Sequence, residues 1–487
     1  MLKSSSPRKA AAHESAARRF ILCALAALAL LSLPVLVIAT GGVFSLTKHG
    51  DSTTGVQRDS ALPRGECAQC HTSHSGQPYA LFAPHANGLC YTSSCHSLSS
   101  TLAIYQGPSP YDASSHATGT PWPGFDGSVD TSAPLVRPSG DSGKCTNCHD
   151  PHGYNRDGTG LIPSLLFSRE EKLCVVCHDG SPGPDVKSQF NKTYKHPIAT
   201  SGIHSAAEGG NSAAYGATPS NNRHAECADC HNPHVAKREG SPRTNAPPDA
   251  PYTLRGVSRV SVINGAAGSA PAYTYRGHSD TAPTAEYEIC FKCHSSWTTR
   301  PAGQSDLALF FNTNNPSFHP VEAQGKNTNI NANAFVNNWN AAKLMYCSDC
   351  HGNDDLSPVV RGPHGSLYRY ILQQSYTASS SQRTMSSSEI CFVCHRYDIY
   401  ANDSATTTVK GYSRFNPPNS SRGHTFHVGN RRYPCYACHN SHGSTTKPHL
   451  IVTGRSPGLN NYTQSSSGGT CSPTCHGSQT YQINYAR

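Results

Sequence analysis

The chain has little from which to build an ordinary protein core. Hydrophobic residues are 36% of its 487 residues and aromatic residues 8%, while glycine and proline number 41 and 35. Such a composition buries too little apolar surface to offset the cost of ordering the backbone, and alone it reads as loop or disorder. Long apolar runs are also scarce, and after residue 39 no stretch could span a bilayer. Methionine is nearly missing: Met1, Met345 and Met385 are the three present. What the chain holds in excess is cysteine, 21 residues, and histidine, 27.

Ten times a pair of cysteines is followed at once by a histidine. Eight copies read C-x-x-C-H: Cys67/Cys70/His71, Cys145/Cys148/His149, Cys174/Cys177/His178, Cys227/Cys230/His231, Cys290/Cys293/His294, Cys347/Cys350/His351, Cys391/Cys394/His395 and Cys435/Cys438/His439. Two are stretched, Cys90/Cys95/His96 and Cys471/Cys475/His476. The ten pairs use 20 of the 21 cysteines, leaving Cys23. C-x-x-C-H is the attachment signature of c-type haem. Each thiol adds to a vinyl group on the porphyrin edge, and the next histidine reaches the iron as the proximal ligand. Cysteines three apart lie on one side of a helical turn, which suits that geometry. Zinc sites and disulfides also use paired cysteines, but neither demands a histidine after every second one. About ten covalently attached haem c groups are therefore expected.

Haem also changes the reading of the composition. A row of rigid apolar macrocycles can supply the core that the side chains do not. The expected fold is mostly coil and loop, with short helices at the attachment motifs and few strands, organised around a haem stack. Ser168–Glu171 before Cys174 and Ser386–Glu389 before Cys391 read as capping boxes opening such helices. Within the Pro- and Gly-rich stretch 232–286, Arg259–Ile263 followed by Asn264-Gly265 suggests a small hairpin. The Asn-rich 312–340 and the Ser- and Thr-rich 377–388 read as surface.

Residues 1–39 carry Lys3, Arg8, Lys9, Arg18 and Arg19 ahead of an apolar run from Phe20 to Ala39. This is the pattern of a secretory signal, with an uncleaved membrane anchor as the alternative. Export agrees with the motifs, because c-type haem is attached outside the cytoplasm. The formal charge of +9 falls to about +5 without this segment, which holds five basic residues and one acidic. Two propionates per haem would outweigh that remainder, so the basic residues are expected to face propionates and not nucleic acid.

The motifs fall into five pairs, giving five units after the signal: 40–105, 106–190, 191–300, 301–405 and 406–487. Ten irons need ten second axial ligands if each is to be closed to substrate. Five candidates follow the first motif of a pair: His74, His152, His234, His364 and His442. Five lie upstream of the pairs: His49, His116, His196, His319 and His427. The surplus is His85, His204, His224, His278, His424 and His449; His424 competes with His427, and His204 or His224 with His196.

The segments HTSH, HDPH, HNPH and HNSH after the first motifs, GPHG at 362–365, and Thr47–Asp51 give the chain a resemblance to multihaem c-type cytochromes with doubled C-x-x-C-H motifs. It is similar, over about residues 45–480, to the decahaem-type electron-transfer cytochromes of metal-reducing bacteria. The resemblance implies bis-histidine iron, electron transfer without substrate chemistry, and a periplasmic, outer-surface or extracellular place. It implies redox-protein donors and acceptors, with metal oxides, partner cells or copies of the chain in a filament as further partners, and membrane contact only through the N-terminal segment. The competing readings are a multihaem reductase of nitrogen or sulfur oxyanions with one open iron, and a structural surface protein that merely carries haem.

Overall fold

The structure, a computed structural model, describes residues 44–71, 88–91, 95–96, 114–118, 145–153, 163–166, 170–181, 183–198, 225–238, 245–278, 280–298, 304–355, 360–416 and 422–483. The signal-like residues 1–39 and Ser168 lie outside them. Among the described residues the backbone is mostly coil, with short helices and small sheets, and no helix is long and apolar enough to cross a membrane.

Local structure gathers at the motifs. Cys67–Gln69, Cys145–Asn147, Cys174–Val176, Cys347–Asp349, Ile390–Val393 and Cys435–Ala437 are single 3-10 turns, and Cys227–Cys230 is one α-turn. In seven motifs the histidine N–H donates to the carbonyl of the first cysteine at 2.9–3.0 Å. That bond wraps both thiols and the imidazole round one turn.

Three motifs differ from the single short turn of the other seven. In the stretched copy Cys90 sits on the turn Gly88–Tyr91, whereas Cys95 lies beyond its end. The two extra residues of the insertion separate the thiols, so Cys95 does not share a helical face with Cys90; the His96 N–H still closes onto the Cys90 carbonyl at 3.1 Å. Cys293 departs in the other direction. It belongs to a nine-residue α-helix, Glu286–His294, that holds its whole motif. The helix is longer because it starts early, with the Glu288 carboxylate accepting the Ala285 N–H at 3.2 Å. It also packs, burying Ile289 and Phe291 in two separate cores. The third is the fifth pair's second copy, because Cys471 sits on a strand. The capping box read at Ser386–Glu389 does not form. The turn begins at Ile390, and the Glu389 carboxylate instead accepts from the Thr377 N–H at 3.0 Å and hydroxyl at 2.6 Å.

The strands are β1 Tyr194–Lys195, β2 Arg259–Ile263, β3 Ala272–Arg276, β4 Ser317–Phe318, β5 Gly365–Ser366, β6 Gly443–Ser444, β7 Leu459–Gln464, β8 Gly468–Pro473 and β9 Gln479–Gln482. All pair antiparallel: β1 with β5, β2 with β3, β4 with β6, and β7–β8–β9 as a three-stranded sheet. The hairpin read at Arg259–Ile263 is β2–β3, closed by a loop longer than the Asn264-Gly265 dipeptide. The two-residue pairs β1–β5 and β4–β6 are too small to be stable by themselves. Their importance is that they tie residues of different units together.

Side-chain cores are local. The largest joins Val260, Phe291, Ala308, Phe311, Val321 and Met345. Arg259 is buried beside it and well partnered. It donates to Glu288 at 3.2 Å, Asp280 at 3.0 Å and the Ala282 carbonyl at 2.8 Å. The two segments read as surface are not wholly so. Asn312 and Asn315 are 0% exposed. Asn312 donates to the Ala266 and Ser269 carbonyls, and Asn315 to those of Leu309 and Phe310. Amides can be buried when their hydrogen bonds are met, which residue counts do not disclose. Thr377 and Met385 are buried too.

Glu322 makes this core sensitive to pH. Asn264 Nδ2 donates to its carboxyl at 2.7 Å and to Thr313 at 3.1 Å, tying the hairpin tip to the following segment. Burial pushes the Glu322 carboxyl up to about 7, against the opposing pull of that hydrogen bond. A carboxyl raised in the folded state contributes most to stability below its unfolded value, about 4.3, and loses that contribution as pH rises through the folded one. Protection factors of the β2 and β3 amides should therefore fall between about pH 4 and 7, and stay level in Glu322→Gln. The same pH dependence in both proteins would contradict this.

Candidate haem sites

Every one of the ten motif histidines faces a second histidine across a gap of nearly constant width. Five partners come from upstream of the pairs: His49–His96 at 6.1 Å between ring centres, His116–His178 at 6.1, His196–His294 at 6.3, His319–His395 at 6.4 and His427–His476 at 6.3. Four follow a first motif: His152–His71 at 6.0 Å, His234–His149 at 6.0, His364–His231 at 6.0 and His442–His351 at 6.2. The tenth is His424–His439 at 6.3 Å. Rings so far apart are not in contact. A metal–imidazole nitrogen bond is about 2.0 Å and the ring centre lies about 1.1 Å behind the nitrogen, so two rings flanking one metal sit about 6.2 Å apart. The gaps fit an iron with two axial imidazoles.

The backbone sets these gaps through long-range pairing. Beyond β1–β5, the His196 N–H donates to the His364 carbonyl at 3.2 Å; beyond β4–β6, the His319 N–H donates to the His442 carbonyl at 3.0 Å. Ser115, beside His116, likewise donates to Ala236, two residues past His234, at 3.0 Å. The glycine after the histidine makes the first two approaches possible. A Cβ on Gly365 would lie 1.9 Å from the Gln189 carbonyl oxygen, and one on Gly443 would lie 2.0 Å from that of Phe310.

Hydrogen bonds then fix which ring nitrogen is available. Nδ1 of His116 donates to the Pro233 carbonyl at 3.0 Å and Nδ1 of His196 to that of Pro363 at 2.6 Å. Nδ1 of His319 donates to the Ser441 carbonyl, and Nδ1 of His427 to that of Gly423 at 2.9 Å. His49 bonds the Pro151 carbonyl. Among the motif histidines, Nδ1 of His149, His231, His351 and His439 donates to the carbonyls of Ser164, Thr253, Tyr370 and His449 at 2.7–2.9 Å. A carbonyl cannot donate, so these rings carry the proton on Nδ1 and leave Nε2 free to ligate a metal. Burial also favours the neutral ring. It pushes His364 and His442 down to about 3, and His178, His234 and His395 down to about 4.

The thiols show how the sites follow one another. The first cysteine of each second motif lies within hydrogen-bond reach of the next unit's first cysteine: Cys90 with Cys145, Cys174 with Cys227, Cys290 with Cys347, Cys391 with Cys435. Within each unit the second cysteine of the first motif lies in electrostatic range of the following motif, as Cys70 does to Cys90 and Cys438 to Cys471. Cys148 with Cys174, Cys230 with Cys290, and Cys350 with Cys394 do the same. Cys95 and Cys293, whose backbone setting differs from that of the other motifs, keep their place in this series. Both are half-buried thiols, Cys95 in electrostatic range of Cys70 and Cys293 in range of Cys230. The motifs are thus neighbours in space in their order along the chain. None of the twenty motif cysteines is in a disulfide. Among the described residues no three metal-binding side chains converge as zinc would require.

Of the candidate ligands, His74 lies outside the described residues, as do the surplus His85, His204 and His224. His424, read as surplus, is the residue facing His439. His278 faces no motif histidine among the ring pairs above. His449 contributes its carbonyl to a site, accepting from His439 Nδ1. It belongs to a repeated device that sequence reading overlooked. Ser164-Leu165, Tyr370-Ile371 and His449-Leu450 are each two consecutive left-handed residues, with φ between 53° and 65°. The first carbonyl of each pair holds a motif imidazole. The second accepts the N–H that follows that histidine, from Asp150, Gly352 or Asn440, at 2.8–2.9 Å. Strained backbone of this kind persists only where its surroundings over-determine it. The signal was the recurrence of an apolar pair after the first motifs, Leu165-Leu166, Ile371-Leu372 and Leu450-Ile451.

Replacing Gly443 by alanine should force β6 away from Phe310 and carry His442 from His351. A high-spin ferric resonance from one site in ten is expected in Gly443→Ala, and an unchanged low-spin spectrum would contradict the pairing. Comparison with curated proteins and with solved structures finds no match in either. Residues 139–183 match the family described as the doubled CXXCH motif. That segment holds Cys145–His149 and Cys174–His178, so the chain carries the haem c attachment unit of multihaem c-type cytochromes.

Proposed function

We propose that the protein is an electron carrier that holds ten haem c groups, in the order of its motifs, outside the cytoplasm. The observation that carries this reading is that all ten motif histidines face a second imidazole at 6.0–6.4 Å. A bound haem supplies a one-electron iron couple. The chain's part is to hold each macrocycle by two thioethers and to fill both axial positions. It also keeps the imidazoles neutral and sets successive sites side by side.

Two imidazoles per iron favour low-spin, low-potential haem, because methionine is the ligand that raises potential. They also close the iron to substrate, which supports electron transfer over oxyanion reduction. The ten pairs are completed within one chain, so ligation itself requires no second copy. The attachment chemistry and the N-terminal pattern support periplasmic, outer-surface or extracellular work, with other redox proteins as donor and acceptor.

A pyridine haemochrome assay with intact mass should count ten haems per chain. Paramagnetic resonance of the oxidised protein should show low-spin ferric iron throughout. Adsorbed on an electrode, the protein should exchange about ten electrons in a low-potential envelope. A substantial high-spin fraction in the native protein would favour the reductase reading. A colourless product with the mass of the bare chain would overturn the proposal.

A further inference from the structure

Taken by unit, the ten pairs obey a rule of exchange. The second motif of a unit takes its partner from the same unit: His49–His96, His116–His178, His196–His294, His319–His395 and His427–His476. The first motif takes its partner from the unit that follows. His71 faces His152, His149 faces His234, His231 faces His364, and His351 faces His442. The fifth unit breaks the rule: its first-motif histidine, His439, faces His424 of its own unit.

The hydrogen bonds show what His424 replaces. In the first four units the upstream histidine bonds the carbonyl that directly precedes the exchanged histidine. His49 bonds Pro151 before His152, His116 bonds Pro233 before His234, His196 bonds Pro363 before His364, and His319 bonds Ser441 before His442. In the fifth unit His427 bonds Gly423, and the next residue is His424. The dipeptide Gly423-His424 thus stands where the first four units use a dipeptide of the following unit.

That place is built for it. His424 and His427 sit at the start of the π-helical segment Thr425–Asn430, so one turn serves two successive sites. The Ser413 hydroxyl hydrogen-bonds His424 Nδ1 at 2.6 Å, and the Tyr400 and Phe415 rings each lie 5.1 Å from it. Asn416, 2% exposed, holds this support by donating to the Lys410 carbonyl at 2.8 Å. A Cβ on residue 423 would lie 2.3 Å from the Phe415 carbonyl oxygen, so glycine alone permits the approach.

We infer that His424 is the axial ligand that closes the fifth unit's first motif from within that unit, a built-in stand-in for a following unit's histidine, whereas His442 serves the iron held by the preceding unit. This rests on the bis-histidine reading above. It goes beyond that reading by naming the residue that ends the exchange and by assigning His442 away from its own motif.

The test counts open irons in the full-length holoprotein. His424→Ala and His442→Ala should each convert one tenth of the ferric signal to high spin, with the haem count still ten. Exogenous imidazole should restore low spin. The double variant should convert two tenths, because the residues serve different irons. If the two instead compete for the iron of His439, the double variant converts only one tenth. Where His424→Ala lowers the haem count, His424→Met serves in its place. It keeps the iron closed and should move one tenth of the redox titration to higher potential. A ten-haem His424→Ala protein that stays wholly low-spin, or no shift in His424→Met, would overturn the capping role and leave the proposed function standing. Absence of haem from the wild-type chain would instead remove the proposed function itself.

Discussion

A gap of about 6 Å between two imidazole rings, repeated ten times and in nine of them oriented by a ring-to-carbonyl hydrogen bond, is the constraint on which the rest of this structure depends. The side-chain cores are small and local. Two-residue strand pairs join distant segments, and their service is to carry a histidine at the end of each pairing to its partner. The strained Ser164-Leu165, Tyr370-Ile371 and His449-Leu450 turns have the same service. Each orients one motif imidazole through a carbonyl. A chain that is poor in apolar residues can be specified this way when rigid macrocycles fill the spaces between its loops.

The exchange between units gives that specification its long range. In the first four units the first-motif histidine faces a histidine of the following unit, so none of these four units holds both of its histidine pairs within itself. Segments far apart in sequence, such as His196 with Pro363 and His319 with Ser441, are locked by the same bonds that set the ring nitrogens. Placement of the ligands and cohesion of the molecule are therefore one property. The adjacency of Cys90 with Cys145, and of Cys391 with Cys435, continues the series across each unit boundary.

Much of the site was legible in the sequence because its chemistry is contiguous: two thiols and a histidine within a few residues need no fold to be recognised. The backbone under those residues was less legible. Cys95 falls beyond its turn and Cys293 within a longer helix, because an insertion and a buried helix face override the bare spacing. The upstream histidines His49, His116, His196, His319 and His427 were readable, because each precedes the pair it faces. What could not be read was which motif histidine a downstream histidine faces. That follows from pairings such as β4–β6, which span more than a hundred residues and leave no local trace. His424 was passed over because nothing in the sequence around it distinguishes it from His427. Asn312 and Asn315 were placed at the surface because a satisfied buried amide and a solvated one look alike in sequence. The β2–β3 hairpin was readable from the run Arg259–Ile263 followed by Asn264-Gly265, although its loop reaches to Ala272.

The central claim is that the ten histidine pairs each flank one iron and that the sites follow the order of the motifs. A density map of the protein purified with its cofactors tests this most directly. The account predicts ten planar macrocycles, each between the two histidines named here, with every consecutive pair in edge or face contact from Cys67 to Cys475. A map in which cysteines of different motifs are joined in disulfides or gathered round zinc, with the imidazole gaps empty, would contradict it.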